Sequence, residues 1–305
     1  MENKSAWLLI AIGASLWGVI GVFVTFLYEI GFTAIQVVAM RVLTASLFMV
    51  FYVSFKNRNL FKIKVKDSRY FVGTGIISIV LFNWCLFSSM EESSISIAFI
   101  LLYTAPVFVT IFSWLLFNES MTFRKVTALL ITLVGCSLVI GLFSNTSGSI
   151  SLYGLILGLG SGLFYALYSI FGKFALKKYD SLTVTVYTFL FASIAVVPFS
   201  NPGSMISLFL SIKVWLLIIG LGFLSTMLPF IFYTKGLQYV ESSRASIVAT
   251  IEPVIASLIG FLIFNETLSL WQYMGMIMVI SSVVIVQESK KHYKSPPRRY
   301  EKVQA

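Results

Sequence analysis

Charged residues are scarce in this 305-residue chain: Lys, Arg, Asp and Glu make up 11% of it, while 58% is hydrophobic. An ordinary soluble domain is about 25% charged and about 45–50% apolar. A soluble fold of this length cannot hide so much apolar surface from water, so most soluble globular folds and disorder are excluded. The mean hydropathy of +0.93 indicates a chain that lies in a lipid bilayer.

Cysteine and histidine are almost absent. The two cysteines, Cys85 and Cys136, lie in apolar stretches, which argues against a disulfide framework. The single histidine, His292, lies in a polar tail, so a histidine-built metal centre or a Ser-His triad in the membrane is excluded. Phosphate-binding loops and metal motifs are also absent. We therefore expect no cofactor, no metal and no ATP-driven pumping by this chain.

Long apolar segments dominate the sequence instead. A membrane span needs about 20 apolar residues. Each segment is expected to be helical, because backbone groups in lipid have no water to bond and the alternation of a barrel strand is missing. The predicted spans are Ala6–Leu27, Ile35–Phe55, Tyr70–Met90, Ser96–Phe117, Val126–Phe143, Leu152–Phe174, Thr183–Phe199, Val214–Tyr233, Ala245–Phe264 and Trp271–Val286.

Lys and Arg predict the orientation, since cytoplasmic loops are enriched in them. With the N-terminus inside, about 20 of the 22 basic residues fall on the cytoplasmic side, mainly in the connection 56–69 and the tail 290–305. The outer loops carry Glu29, Glu91, Glu92 and Glu266. We therefore expect a multi-pass protein with cytoplasmic N- and C-termini, whose net charge of +10 reflects topology rather than nucleic-acid binding.

An internal repeat divides the chain. Ala98–Met121 and Ala245–Leu268 align without a gap at an offset of 147 residues, and both contain a mid-span proline and the run Phe-Asn-Glu. The offset is close to half the chain, which predicts two units of five spans, residues 1–145 and 146–289. Because five is odd, the second unit must enter the membrane with the opposite orientation. Inverted repeats of this kind are typical of secondary transporters.

The chain resembles the EamA-type branch of the drug/metabolite transporter superfamily. The similarity rests on Trp17-Gly18, on Arg41 near the outer start of the second span, on Pro106 and Pro253, and on the two Phe-Asn-Glu runs. Asn118 and Asn265 stand where that family usually has glycine. The resemblance covers about residues 6–287. It implies an all-α bundle of ten transmembrane helices around a central cavity that moves small organic solutes by alternating access.

Two intramembrane charges are candidate functional residues. Glu252 lies eight residues past Arg244, about 12 Å into its helix at 1.5 Å per residue. A carboxylate at that depth costs roughly 2.5–3.5 kcal/mol on insertion scales. Glu252 is therefore expected to couple protons or to contact a cationic group of the cargo, unless it is neutral and bonded to the helix break beside it. Arg41 either pairs with an acid or snorkels outward.

Prolines and aromatic residues complete the predicted site. Pro106, Pro229 and Pro253 each remove a helix hydrogen bond, which makes them hinges of a moving core or static kinks. Polar and aromatic side chains near mid-span are expected to form a mostly apolar pocket, although each alone fits packing or interfacial anchoring. The candidate cavity residues are Trp17, Asn83, Trp84, Tyr103, Tyr165, Tyr168 and Tyr233.

The sequence thus predicts a secondary transporter of amino acids, related metabolites or drugs, with export as the expected direction. An integral-membrane enzyme and a passive channel or scaffold remain alternatives. The expected partners are the lipid bilayer and a small-molecule substrate, while protons and a second copy of the chain stay open. Short loops and the lack of a transit peptide favour a prokaryotic plasma membrane.

Overall fold

The computed structural model describes residues 3–141 and 151–287. The predicted boundary near residue 145 and the basic tail 290–305 lie outside these ranges. All regular secondary structure within them is helical. The first half contains α1 Asn3–Gly18, α2 Ile20–Ile30, α3 Ala34–Lys56, α4 Ser68–Phe71, α5 Leu81–Glu92, α6 Ile95–Leu102, α7 Ala105–Phe117 and α8 Phe123–Val139.

The second half continues with the same kind of structure. Its helices are α9 Leu152–Leu176, α10 Ser181–Val196, α11 Ile212–Ile219, α12 Leu228–Leu237, α13 Ser242–Ala249, α14 Ile251–Phe264 and α15 Leu270–Gln287. Two π-helical segments, Val72–Val80 and Gly220–Met227, join α4 to α5 and α11 to α12. Short 3₁₀ turns cover Arg58–Phe61, Val65–Asp67, Val197–Ser200 and Pro202–Leu210.

Nine of the predicted spans are confirmed as long apolar helices. In the described part of the chain, nine helical segments of 18 or more residues, some with a short internal break, are apolar enough to cross a membrane. The predicted span Val126–Phe143 corresponds to α8, which has 17 residues. That length lies at the lower limit of about 17–25 residues for a spanning helix. The spanning of α8, and with it the count of ten, stays a prediction.

Two helix breaks within the spans are each followed by a proline. α6 and α7 are separated by a turn at Tyr103 and Thr104, and α13 and α14 are separated at Thr250. Pro106 and Pro253 fall within the first turn of the helix that follows each break. Proline is tolerated in a first turn because the N–H it lacks has no partner inside the helix. These prolines therefore begin new helices rather than bend continuous ones.

The π-helical segments allow close packing between the halves. The glycines Gly75 and Gly222 lie in these segments, and a Cβ atom at Gly75 would come within 3.0 Å of the Ala192 backbone nitrogen. At Gly222 it would lie 3.3 Å from the Ala45 backbone nitrogen. Each third span therefore packs backbone to backbone on the second span of the other half.

The connections between spans meet at two ends of the bundle. At one end, named the basic end, the Lys178 ammonium pairs with Asp67 at 2.6 Å, and this hydrogen bond raises the pKa of Lys178. At the other, named the opposite end, Gln36 Nε2 donates to Ser204 Oγ at 2.9 Å. The basic end comprises the connections 57–67, 118–122, 177–180 and 238–241. The opposite end comprises 31–33, 93–94, 201–211 and 265–269.

Candidate functional site

A cavity lies inside the bundle where spans from both halves meet. Its walls come from α1, the start of α2, α3, the first π-helical segment, α5, α9, α12 and α14. The cavity measures about 60 Å³. Since one water needs about 10–15 Å³ of such volume, it has room for a few waters. A larger solute therefore requires side chains to move apart.

Arg41 and Glu252 both line this cavity. Arg41 Nε donates a hydrogen bond to Thr226 Oγ1 at 2.9 Å. The Tyr165 hydroxyl faces Glu252 Oε2 at 3.5 Å, and Tyr103 lies within hydrogen-bonding reach of the same carboxylate. Among the described residues, no ion pair joins Arg41 to Glu252. The cavity thus holds two separated charges of opposite sign, as intramembrane ionisable residues in solute paths do.

An aromatic wall faces these charges. The Trp17 ring lies 5.1 Å from Phe230 and 5.2 Å from Tyr233, measured between centroids. Tyr168 packs edge-on against Phe230 at 5.0 Å. Within the described residues, the buried Trp17 Nε1 has no hydrogen-bond partner. Its N–H is therefore a donor that a polar atom of a bound solute can accept from.

Hydroxyl groups fix the tyrosines of this wall. Tyr168 shares a 2.6 Å hydrogen bond with Thr234, and Tyr233 shares one of 2.7 Å with Ser169. These pairs link α9 to α12 across the core, and all four residues are buried. Buried hydroxyls with such partners hold their rings in fixed positions.

The remaining predicted cavity residues divide into three cases. Asn83 lines the cavity, and its Nδ2 donates to the Ile79 carbonyl at 2.7 Å. Its neighbour Trp84 is 55% exposed and does not line the cavity. Tyr103 lies in a smaller adjacent cavity, which it shares with Pro106, Tyr165 and Tyr233.

The predicted hinge prolines lie at the edges of the site. Pro106 lines the smaller cavity, and Pro253 directly follows Glu252 in the first turn of α14. Pro229 is the second residue of α12, immediately after the second π-helical segment. Each proline therefore lies at the start of a helix that carries or contacts cavity residues.

Sequence reasoning missed several cavity residues. Ser78, Phe82, Ser169 and Phe230 all line the cavity. Ser169 lies four residues after Tyr165, so the helical period already places the two on one face. Ser78 has no such signal, because it belongs to a π-helical segment whose wider turn rotates the side chains.

The chain matches a known family over nearly its whole length. The sequence profile of the "EamA-like transporter family" matches twice, over residues 4–141 and 152–287. The chain belongs to the EamA-like transporter family. The double match agrees with the internal repeat, and the expected resemblance is confirmed.

Individual EamA-family relatives carry transporter names. An "Uncharacterized transporter" of Archaeoglobus fulgidus is 32% identical over 214 residues, which cover 69% of this chain and 75% of that protein. The "Uncharacterized inner membrane transporter YicL" of Salmonella typhimurium is 25% identical, with coverage of 93% and 96%. A solved crystal structure shares the fold at a TM-score of 0.78 and 14% identity, with coverage of 93% and 96%. The protein is therefore a multi-pass membrane transporter.

The described part of this EamA-family chain contains no candidate metal site. Within residues 3–141 and 151–287, no three His, Cys, Asp or Glu side chains come together as a metal site would require. Cys85 and Cys136 are both buried and free. The cavity therefore offers charge, hydroxyl groups and aromatic surface as its means of binding a solute.

Proposed function

We propose that this EamA-family protein is a secondary transporter that exports small organic solutes across the plasma membrane by alternating access. The observation that carries the proposal is the cavity in which Arg41 and Glu252 face the same space without pairing. Two ionisable groups deep in the bundle that form no ion pair with each other cost free energy, and membrane proteins retain such groups in solute or ion pathways.

The proposed architecture is ten spans in two inverted five-helix units, residues 1–145 and 146–289, followed by the tail 290–305. Features 147 residues apart support it. α6 and α13 begin at Ile95 and Ser242, and the left-handed residues Asn118 and Asn265 end α7 and α14. The π-helical segments also occupy corresponding positions. In transporters built from two such repeats, the solute site lies at the interface between the repeats.

The proposed orientation puts the basic end in the cytoplasm. Lys56, Arg124, Lys177 and Lys235 all lie at or next to the connections of that end. The positive-inside rule then favours cytoplasmic N- and C-termini. Export corresponds to movement from the basic end to the opposite end.

The chemistry of the cavity suggests its cargo. Arg41 suits a carboxylate, Glu252 suits an ammonium group, and the aromatic wall suits an apolar portion. Amino acids and related metabolites or drugs combine such groups. Glu252 has two candidate roles, since it either contacts the cationic group of the cargo or exchanges protons that drive transport.

A flux screen tests the proposal. The purified chain is reconstituted in liposomes with an imposed proton gradient, and uptake of the twenty labelled amino acids and a set of cationic dyes is measured. We expect at least one solute to accumulate above its external concentration and to be released by an uncoupler. Cells that overproduce the chain should tolerate higher external concentrations of that solute.

Two outcomes would overturn the proposal. Uptake that equilibrates without accumulation and ignores the uncoupler identifies a passive channel. A folded, reconstituted chain that moves none of these solutes favours a membrane enzyme or scaffold instead.

A further inference from the structure

A buried contact joins the two halves at the basic end. Glu119, in the connection after α7, accepts hydrogen bonds from the backbone N–H groups of Ser242 at 2.7 Å and Ser243 at 3.2 Å. The Ser243 hydroxyl also donates to the Glu119 carboxylate. The carboxylate thus caps the first turn of α13, where the helix dipole and the unpaired N–H groups favour negative charge.

Charged residues surround this contact. We name the contact and these neighbours together the basic-end latch, which consists of Glu119, Lys125, Glu241, Ser242, Ser243 and Arg244. Lys125 Nζ lies 2.8 Å from Glu241 and 3.7 Å from Glu119, and Arg244 Nε lies 2.7 Å from Glu241. The Lys125 side chain is 2% exposed. The latch holds the connection after α7 and the connection after α12, which belong to different halves, together at the basic end.

The internal repeat places equivalents of Glu119 and of the first turn of α13 at the opposite end. At the offset of 147 residues, Glu119 corresponds to Glu266, and Ser243 corresponds to Ser96 in the first turn of α6. The local backbone also agrees. Glu119 N–H donates to the carbonyl six residues earlier at 3.2 Å, and Glu266 N–H does the same at 3.2 Å.

The opposite-end contact is not made in this structure. Glu266 is exposed, and within the described residues its carboxylate accepts no hydrogen bond from Ile95 or Ser96. Ile95 is 66% exposed. The Ser94 hydroxyl instead accepts from the Ile97 N–H at 3.2 Å, capping α6 locally. Among the described residues, the contact equivalent to that between Glu119 and α13 is therefore missing at the opposite end.

We propose that Glu119 and Glu266 are alternating latch residues of the transport cycle. When the basic end opens, Glu119 leaves α13. Glu266 then caps α6 through the N–H groups of Ile95 and Ser96 and the Ser96 hydroxyl, closing the opposite end. This inference rests on the proposed alternating access, and it names the residues that hold each state.

The two latches differ in charge. Lys125 corresponds to Gln272, and Glu241 corresponds to Ser94, so the opposite-end latch lacks the ion pairs of the basic-end latch. The basic-end latch, which is formed in this structure, is therefore the more stable of the two, and the state that it holds is the resting state. Neutralising Glu119 shifts the population toward the other state, because it removes a contact made in only one of them.

Cross-linking tests the exchange without any solute. Ile95→Cys and Thr267→Cys are introduced into a chain whose Cys85 and Cys136 are replaced by serine. A short bifunctional thiol reagent then reports how often the opposite end closes. We expect Glu119→Gln to raise the cross-linking rate at least fivefold, and added Glu266→Gln to reverse the increase. The matched control is Glu91→Gln, which changes an exposed glutamate near the opposite end and should leave the cross-linking rate unchanged.

Ser243→Ala is a second, milder variant for the case that Glu119→Gln does not fold. It removes one hydroxyl from the basic-end latch, so it should also raise the cross-linking rate, by a smaller factor. An unchanged rate in folded Glu119→Gln overturns the proposal, as does an increase that persists in Glu119→Gln/Glu266→Gln. The cross-linking assay contains no solute, so its result is independent of the flux assay. Normal flux together with a cross-linking rate that does not change in Glu119→Gln contradicts the latch proposal and leaves the proposed transport function intact.

Discussion

At the level of single side chains, the cavity keeps two opposite charges apart. Thr226 holds Arg41, and Tyr165 faces Glu252, so each charge has a neutral neighbour rather than its counter-ion. The sequence located both charges by their depth in apolar segments. It could not show that they face one space, because that depends on how α3 and α14 pack.

Glu252→Gln should impair transport while keeping the fold. The amide preserves the size of the side chain and its contact with Tyr165, but it removes the charge. A hydrogen bond to a charged group is worth about 1.5–3 kcal/mol, so we expect flux of the solute found in the screen to fall on the order of tenfold or more. The control is Glu91→Gln, which changes an exposed glutamate. Normal flux with an unchanged pH profile would remove Glu252 from the mechanism.

Asn118 is one of the asparagines at which backbone conformation limits substitution. Its φ of 53° is left-handed, a conformation that asparagine tolerates and β-branched residues do not. Asn118→Val should therefore lower the free energy of unfolding by about 1–2 kcal/mol. Asn118→Gly should be tolerated, because glycine adopts a positive φ without strain. Thermal unfolding in detergent measures both, and equal midpoints for the two variants would refute the explanation.

At the level of elements, hydrophobic runs predict spans well and predict their internal breaks poorly. A span of about 20 apolar residues is visible in any window, which is why nine segments are confirmed. A π turn needs no particular residue, so the segments Val72–Val80 and Gly220–Met227 left no clear signal. Trp84 shows a limit of choosing adjacent residues. Neighbours on a helix point about 100° apart, and in α5 the cavity side carries Phe82 and Asn83 while Trp84 is exposed.

Gly75→Ala tests the close packing of the first π-helical segment. The added Cβ would lie 2.5 Å from the Thr188 carbonyl oxygen, which is backbone and cannot rotate away. Overpacking of this kind costs about 1–3 kcal/mol, so we expect a lower unfolding temperature in detergent.

Gly21→Ala is the matched control for Gly75→Ala. Nothing lies within 4 Å of the Cβ it would add. Since alanine reduces the freedom of the unfolded chain, this variant should be neutral or more stable by about 0.4–1 kcal/mol. Equal destabilisation by both substitutions would show that the close approach to Thr188 does not decide the effect, since alanine by itself favours a helix over glycine.

At the level of the whole molecule, the proposed inverted repeat requires two units that cross the membrane in opposite directions. The family match over residues 4–141 and 152–287 establishes the duplication. The shared Phe-Asn-Glu runs in the sequence already predicted this duplication. The basic-end latch could not be predicted in the same way, because it depends on the contact between Glu119, after the end of α7, and the first turn of α13. Each unit alone has an odd number of predicted spans, so its two termini must lie on different faces.

Thiol labelling of intact cells measures this inversion most directly. Single cysteines are placed at residue 150 and at residue 305 of a chain without Cys85 and Cys136, and a membrane-impermeant maleimide is added from outside. The account predicts that residue 150 is labelled in intact cells and that residue 305 is labelled only after the cells are permeabilised. Labelling of both positions from the same side would contradict two oppositely inserted units.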